Sequence, residues 1–204
     1  MKTLAAAVAA ALIGYLFGSI PAGYLVGRYA AGVDVRVSGE GNVGSRNVFH
    51  EVGQRWGIVT FAIDLGKGAA VALLFRDRPL WQLCIAAAFL IVGHAYPIWL
   101  RFVGGKGLAA AGGLAIALLP WSALIGVVLC GAVWLVTHRF LPTVVTAVVV
   151  TFVAAPLVGH GWQMVGVALG AFLLVAVKRV IDEPRMREIE ARTGWDRVHG
   201  GSSG

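Results

Sequence analysis

The sequence predicts an all-α membrane protein, a polytopic helix bundle with about seven transmembrane helices. Hydrophobic residues make up 58% of the 204 residues before the 28 glycines are counted, whereas apolar residues and glycine together form about 45–50% of a typical soluble domain. Charged residues are only 13% of the chain. The apolar residues lie in long uncharged runs, as membrane-spanning helices require. A soluble protein of this size could not bury so much apolar surface.

Seven candidate spans follow one another along the chain. They cover residues 4–27, 56–75, 80–100, 107–119, 122–137, 142–158 and 161–177. Several are shorter than the ~20 residues that cross a bilayer upright, and prolines and glycines separate those of the second half, so five or six spans remain an alternative count.

Domain organisation is simple in this prediction. Residues 1–180 form one membrane-embedded helical domain, residues 181–199 a cytoplasmic surface helix or tail, and residues 200–204 a disordered tail. Asp182 is predicted to cap the start of the surface helix, with Pro184 in its first turn.

The basic residues fall unevenly among the connections. The net charge is +7, and thirteen lysines and arginines fall in alternate connections and the tail, whereas three fall in the others and Lys67 lies within a span. Cytoplasmic loops of membrane proteins carry such an excess. We therefore predict a multi-pass membrane protein with its N-terminus outside and its C-terminus in the cytoplasm. Topology and anionic ligands explain the basic balance, and no nucleic-acid partner is expected.

The first predicted cytoplasmic loop, residues 38–47, is rich in glycine and in polar side chains. Its glycines formally match a dinucleotide-binding fingerprint, but no strand–helix–strand unit surrounds them. Closely spaced glycines allow turns that point successive N–H groups at one anion. A plain glycine-rich turn is the alternative. The predicted phosphate-binding residues are Ser38, Gly39, Asn42, Gly44, Arg46 and Asn47.

Two opposite charges lie within the second span, at Asp64 and Lys67. Each costs about 2.5–3.5 kcal/mol near the bilayer centre on insertion scales, so they must pair or face a polar cavity. We expect Lys67 to contact a bound anion and Asp64 to orient it. A purely structural ion pair is the alternative.

His94 ends the third span, and a glycine-rich segment around Lys106 opens the next helix. The first N–H groups of a helix and its dipole favour an anion. We therefore predict His94 and Lys106 as catalytic candidates and Gly104, Gly105 and Gly107 as phosphate-binding residues; a structural histidine is the alternative. The segment is not a Walker A sequence, because it lacks the preceding glycine and the following Ser or Thr.

Two further features bear on the site. Pro21 is expected to kink or open the first span, and Ser19 beside it is a supporting residue that could line a cavity. The histidines include no helix-spaced metal pair, and Cys84 and Cys130 have no motif partner. No metal, cofactor or disulfide is expected.

Four of these blocks together resemble the bacterial acyl-phosphate:glycerol-3-phosphate acyltransferase family of the PlsY type. The matching stretches are residues 18–21, 38–47, 64–68 and 94–107, and their order and spacing agree over residues 14–113. The resemblance implies a seven-helix enzyme that moves a fatty acyl group from acyl phosphate to the sn-1 hydroxyl of glycerol 3-phosphate. The implied product is lysophosphatidic acid for phospholipid synthesis in the bacterial inner membrane, with the acyl tail between helices toward membrane lipids.

The resemblance also implies residue roles. The glycine-rich loop cradles a phosphate, Lys67 and Lys106 neutralise phosphate charge, and His94 positions a phosphate or shuttles a proton. An acyl phosphate is already activated, so orientation and charge stabilisation suffice. No acyl-enzyme nucleophile is needed.

The chain departs from the family pattern at three places. Ser45-Arg46-Asn47 stands where Ala-Thr-Asn is usual, Pro142 with Thr143 stands near a usual serine, and Lys178-Arg179 matches the C-terminal motif only loosely. Either the enzyme is divergent, with Arg46 and Thr143 substituting, or the chain is a paralogue with changed substrate or no activity. Outside the enzyme class, an anion transporter and a non-catalytic lipid-binding or assembly protein also remain open. No oligomeric state is predicted.

Overall fold

The computed structural model describes residues 1–195, and this part of the chain contains nine α-helices and one short 3₁₀ helix at Ile98–Leu100. The helices are α1 (Lys2–Ser19), α2 (Ala22–Ala31), α3 (Ser45–Glu51), α4 (Gln54–Phe75), α5 (Leu80–Ala95), α6 (Leu108–Leu118), α7 (Pro120–Thr137), α8 (Phe140–Leu157) and α9 (Trp162–Thr193).

In the described part of the chain, six helical segments are long and apolar enough to cross a membrane, the first of them comprising α1 and α2, and α6 is a shorter apolar helix. The prediction of an all-α membrane bundle with about seven spans is confirmed.

Prolines set several of the helix boundaries. Pro21 has no N–H to continue α1, and α2 begins directly after it. Pro97 follows α5 by two residues, and Pro120 occupies the first turn of α7, where its missing N–H costs nothing. The expected break in the first span is therefore present.

Glycines allow the helices around the core to pack with their backbones in contact. Side chains at Gly14 and Gly18 of α1 would overlap backbone carbonyls of α5, and one at Gly93 of α5 would overlap the carbonyl of Tyr15. Gly68 and Gly113 bring α4 and α6 together in the same way. Small residues have this role in membrane bundles generally, because lipid provides no hydrophobic force between helices.

Helices α1, α4, α5, α6 and α9 surround the main core, whose large buried side chains include Leu83, Leu90 and Leu114. Helices α7 and α8 form a hairpin that packs mainly on itself. The connections that follow α2, α5 and α7 lie at one end of the bundle together with the end of α9: Thr193 Oγ1 donates to the Gly39 carbonyl, and Arg46 lies over the ring of Phe140. We call this the loop end.

The structure differs from the sequence prediction in two respects. The first loop contains a helix, α3. Helix α9 does not break near residue 180; it runs from Trp162 to Thr193, a total length of about 48 Å. The prediction that Asp182 caps a separate surface helix is wrong: Asp182 lies inside α9 and pairs with Lys178 at 2.6 Å. A division of the chain at residue 180 stays a prediction, and residues 200–204 lie outside the described residues.

Candidate active site

The break between α1 and α2 is occupied by the buried ammonium of Lys67. Its Nζ donates to the carbonyl oxygens of Gly18 at 3.0 Å and Ile20 at 3.2 Å, and lies 2.9 Å from Asp64 Oδ1. The last carbonyls of a helix lack intrahelical donors, and a cation at that end is favourable. The three donors of the ammonium all have protein partners, so Lys67 stabilises the break.

His94 lies in the last turn of α5, and both His94 and Lys67 lie close to the carboxylate of Asp64. Its Nδ1 is 3.8 Å from Asp64 Oδ1, and the imidazole is buried. Both side chains line a cavity of about 10 Å³ beside Pro21, which is about the size that holds one water. Ser19 lies behind it and donates through Oγ to the Gly93 carbonyl at 3.4 Å. The structure thus brings Ser19, Asp64, Lys67 and His94 together.

The 38–47 loop is organised by the side chain of Asn47, which is completely buried. Its Nδ2 donates to the carbonyls of Val35, Ser38 and Asn42, and its Oδ1 accepts from the Glu40 N–H. Asn47 therefore holds the loop in shape. The Ser38 hydroxyl is also used inside the loop, donating to the Asp34 carbonyl at 3.3 Å.

The glycines of this loop adopt conformations that other residues avoid. Gly39 and Gly41 have φ of +56° and +66°, in the left-handed region that glycine adopts without cost. Asn42 is buried, and a side chain at Gly44 would press against its amide. The predicted loop residues are thus all close together.

The second glycine-rich segment folds back onto the end of α5. Gly104 N–H donates to the Ala95 carbonyl, and Gly105 N–H donates to the His94 carbonyl, both at 3.1 Å. A side chain at Gly105 would overlap Nε2 of His94. These two N–H groups therefore fix the segment against His94. Gly107, with φ of +90°, directs the chain into α6.

A cluster of cations lies at the loop end around the carboxylate of Glu40. Glu40 Oε2 is 3.7 Å from an Arg46 guanidinium nitrogen and 3.9 Å from Lys106 Nζ. Burial lowers the pKa of Lys106, Glu40 opposes this, and Arg179 and Arg46 lower the pKa further. Glu190 also acts on Lys106, in the same direction as Glu40. Arg46, Lys106 and Arg179 thus form a partly exposed cluster of cations.

Glu40, Tyr96 and the Lys178–Asp182 pair are not among the site residues that the sequence predicts. Lys178 Nζ lies 2.6 Å from Asp182 Oδ1 and 4.4 Å above the ring of Tyr96, which follows α5. The four-residue spacing of Lys178 and Asp182 on one helix was a signal for this pair. No periodic pattern marks Glu40.

The departures from the family pattern occupy different places. Arg46 faces the rings of Phe140 at 5.2 Å and Trp195 at 5.8 Å, and so joins the loop to the hairpin and to the end of the described chain. Thr143 donates to the Arg139 carbonyl within its own helix turn. Within residues 1–195, no three His, Cys, Asp or Glu side chains are grouped to hold a metal ion.

Comparison with known proteins identifies the family of the chain. The sequence model of the family described as glycerol-3-phosphate acyltransferase matches residues 8–185. A glycerol-3-phosphate acyltransferase of Anaeromyxobacter sp. (strain Fw109-5) is 37% identical over 195 residues, covering 85% of this chain and 93% of the relative. Glycerol-3-phosphate acyltransferase 2 of Dehalococcoides mccartyi (strain ATCC BAA-2266 / KCTC 15142 / 195) is 38% identical over 199 residues, covering 95% and 92%.

Two solved structures have the same fold. They are crystal structures of PlsY (YgiH), an integral membrane glycerol 3-phosphate acyltransferase, in its glycerol 3-phosphate form and its lysophosphatidic acid form. The TM-scores are 0.76 and 0.74, each at 28% identity and with 93% of both chains covered. The chain is an integral membrane acyltransferase that belongs to the glycerol-3-phosphate acyltransferase family.

Proposed function

We propose that this enzyme transfers a fatty acyl group from an acyl phosphate to the sn-1 hydroxyl of glycerol 3-phosphate. The hydroxyl oxygen bonds to the acyl carbonyl carbon, the bond from that carbon to the phosphate oxygen breaks, and inorganic phosphate leaves with lysophosphatidic acid as the other product. Family membership supports the acceptor, and the resemblance of the four sequence blocks to the PlsY type supports the acyl phosphate donor. The observation that carries the proposal is the cation cluster beside His94.

The cations bind the phosphoryl group of the substrate. Arg46 and Lys106 come from different segments and converge on one carboxylate, and Arg179 lies close enough to Lys106 to lower its pKa. Positive groups fixed in place before the substrate arrives stabilise the charge of the phosphate as it leaves. The acyl tail extends between helices into the lipid.

His94 takes the proton of the attacking hydroxyl. Its Nδ1 lies 3.8 Å from Asp64 Oδ1, beyond hydrogen-bond distance, and its Nε2 faces the glycine segment that leads to Lys106. Proton transfer by a positioned side chain contributes about 10²–10⁴-fold to rate. Lys67 acts on this chemistry indirectly, because its ammonium holds the α1–α2 break and Asp64 in place.

A transferase assay tests the proposal. Purified protein in detergent, given palmitoyl phosphate and radiolabelled glycerol 3-phosphate, is expected to form labelled lysophosphatidic acid, and acyl-CoA is expected to replace the donor poorly. His94→Ala should lower kcat/KM by about 10²-fold or more. Arg76→Ala, an exposed cation at the other end of the bundle, is the matched control and should keep the wild-type rate.

No product from the wild-type protein would overturn the proposal. Flux of glycerol 3-phosphate or phosphate into liposomes without product would favour a transporter. Turnover with another acyl donor alone would favour a paralogue with changed substrate.

The orientation of the chain in the membrane is a second part of the proposal. The loop end carries most of the lysines and arginines, so we assign it to the cytoplasm. Because Glu40 and Gly105 are buried, thiol probes belong at exposed Val37 and Asp77. After Cys84 and Cys130 are replaced by serine, Asp77→Cys should react with an impermeant reagent added outside intact cells, and Val37→Cys should not. The reverse pattern would contradict the orientation.

A further inference from the structure

Glu40 is a buried carboxylate that faces two cations without bonding tightly to either. Its side chain is 4% exposed, and its Oε2 lies 3.7 Å from Arg46 and 3.9 Å from Lys106. These separations exceed the length of a hydrogen bond, which ends near about 3.2 Å for N–H···O. The buried lysine–aspartate pairs are closer, at 2.9 Å for Lys67–Asp64 and 2.6 Å for Lys178–Asp182. The N–H groups of Arg46 and Lys106 therefore make no hydrogen bond to Glu40 and can donate to a bound anion.

The backbone of Glu40 is fixed by its neighbours. Its N–H donates to Asn47 Oδ1 at 3.0 Å, and the preceding Gly39 carbonyl accepts from Thr193 Oγ1 at 2.7 Å. The two glycines on either side of Glu40 both have positive φ. Glu40 thus presents a negative charge at a defined place inside the candidate phosphate site.

We propose that Glu40 is an internal competitor for the bound phosphoryl group. Its carboxylate balances Arg46 and Lys106 while the site is empty, and a phosphate that contacts these cations binds against the repulsion of Glu40. The carboxylate thereby weakens phosphate binding and promotes release of inorganic phosphate after acyl transfer. The identification of phosphate as a product rests on the proposed function.

The charges of the cluster explain why such a competitor is useful. Arg46 and Lys106 bring two positive charges within 4 Å of Glu40, which brings one negative charge, so the three groups have a net charge of +1. Replacing Glu40 with a neutral residue raises this to +2. A partly buried site with the higher charge would hold a phosphate dianion more tightly, because charge-assisted bonds strengthen as water is excluded.

A structural role for Glu40 makes the opposite prediction. If the carboxylate served only to assemble Arg46 and Lys106, its removal would leave the cations repelling one another and the site poorly formed. Phosphate affinity would then fall. The competitor and the structural role therefore differ in the sign of one measurable change.

Binding and inhibition by inorganic phosphate test the proposal. In Glu40→Gln, calorimetric titration of the purified protein with inorganic phosphate should give a Kd about tenfold lower than wild type, as for one additional charge-assisted contact. Phosphate should also inhibit acyl transfer at about tenfold lower concentration. Glu183→Gln removes the same charge from an exposed pair on α9 and should leave both values unchanged.

Glu40→Ser is a second neutral variant with a shorter side chain, and it should tighten phosphate binding in the same direction. Glu40→Asp keeps the charge and should stay close to wild type. Unchanged or weaker phosphate binding in the folded neutral variants, checked by size-exclusion chromatography, would overturn the proposal. Because the titration needs no turnover, tighter binding in a protein without transferase activity would support the role of Glu40 and contradict only the proposed function.

Discussion

The helices around the site and the α7–α8 hairpin satisfy their polar groups in different ways. Around the site, hydrogen bonds join separate elements: Lys67 bonds to the α1–α2 break, and Tyr15 in α1 donates to the Tyr96 carbonyl. In the hairpin, Thr137, Thr143 and Thr151 donate to carbonyls of their own helices. The site region is therefore mutually constrained, whereas each hairpin helix is nearly self-sufficient.

The hairpin is also less extensively packed against the rest of the protein than the helices around the site. The buried residues of α7 lie near its beginning and those of α8 near its end, both far from the loop end. The remaining surfaces of the hairpin are exposed apolar side chains, which lipid can cover. Sequence changes in the hairpin should therefore cost less than changes around the site.

The largest difference in the free energy of unfolding is expected between the variants Lys67→Met and Thr151→Val. Lys67→Met leaves Asp64 as a buried unpaired charge and two carbonyls without a donor, a loss of about 3–5 kcal/mol. Thr151→Val removes only a bond within one helix turn and should cost about 1 kcal/mol or less. Unfolding in detergent, followed by tryptophan fluorescence, measures both. Equal losses would mean that the regions are not differently constrained.

A smaller effect is expected from adding one methyl group to two neighbouring glycines of α4. Gly68→Ala would overlap the backbone of Ala110 in α6 and should destabilise the protein by about 1–3 kcal/mol. Gly66 has open space around it, so Gly66→Ala should stabilise the helix by up to about 1 kcal/mol. Thermal unfolding of the pair gives the comparison. Equal midpoints would show that α4 and α6 do not depend on close approach at Gly68.

The pH dependence of acyl transfer should be set by the protonation of Lys106 and should not change when a hairpin residue is replaced. Because burial lowers the pKa of Lys106, its ammonium is lost at a lower pH than that of a free lysine, and activity should fall as pH rises through that pKa. Lys106→Arg stays protonated, so the alkaline limb should move to higher pH. Arg139→Lys at the start of the hairpin is the control. Profiles corrected for enzyme-free hydrolysis that coincide in all three proteins would exclude Lys106 as the titrating group.

The smallest effect belongs to the lipid-facing side of the hairpin. Leu135 is 74% exposed, so Leu135→Ala should change stability by no more than about 0.5 kcal/mol. A loss comparable to that of Gly68→Ala would show that the hairpin surface packs against protein in the membrane.

Composition and charge spacing predict much of this structure. The apolar runs locate the spans, Pro21 locates the break, and the spacing of Asp64 and Lys67 on one helix predicts a buried pair. The partners of these groups depend on other helices: Lys67 bonds to Gly18 and Ile20, which lie far from it in the sequence. That contact favours a role of Lys67 in holding the site over a role in binding substrate.

Loop conformation is where sequence reasoning is weakest. Asn47 looks like a phosphate donor, but its amide faces inward because the loop closes around it. No sequence pattern marks Glu40 as a site residue. Its position between Arg46 and Lys106 depends on the loop conformation, in which the two flanking glycines have positive φ. Such arrangements depend on tertiary structure and have no periodic signal.

The most direct test of a phosphate site built on Lys106 is kcat/KM for acyl transfer in Lys106→Ala and Lys106→Arg. Loss of one charge that stabilises the leaving phosphate should lower kcat/KM by about 10²-fold in the alanine variant. The arginine variant should retain most of the activity at neutral pH, because the charge remains. A folded Lys106→Ala protein with wild-type kcat/KM would contradict the account.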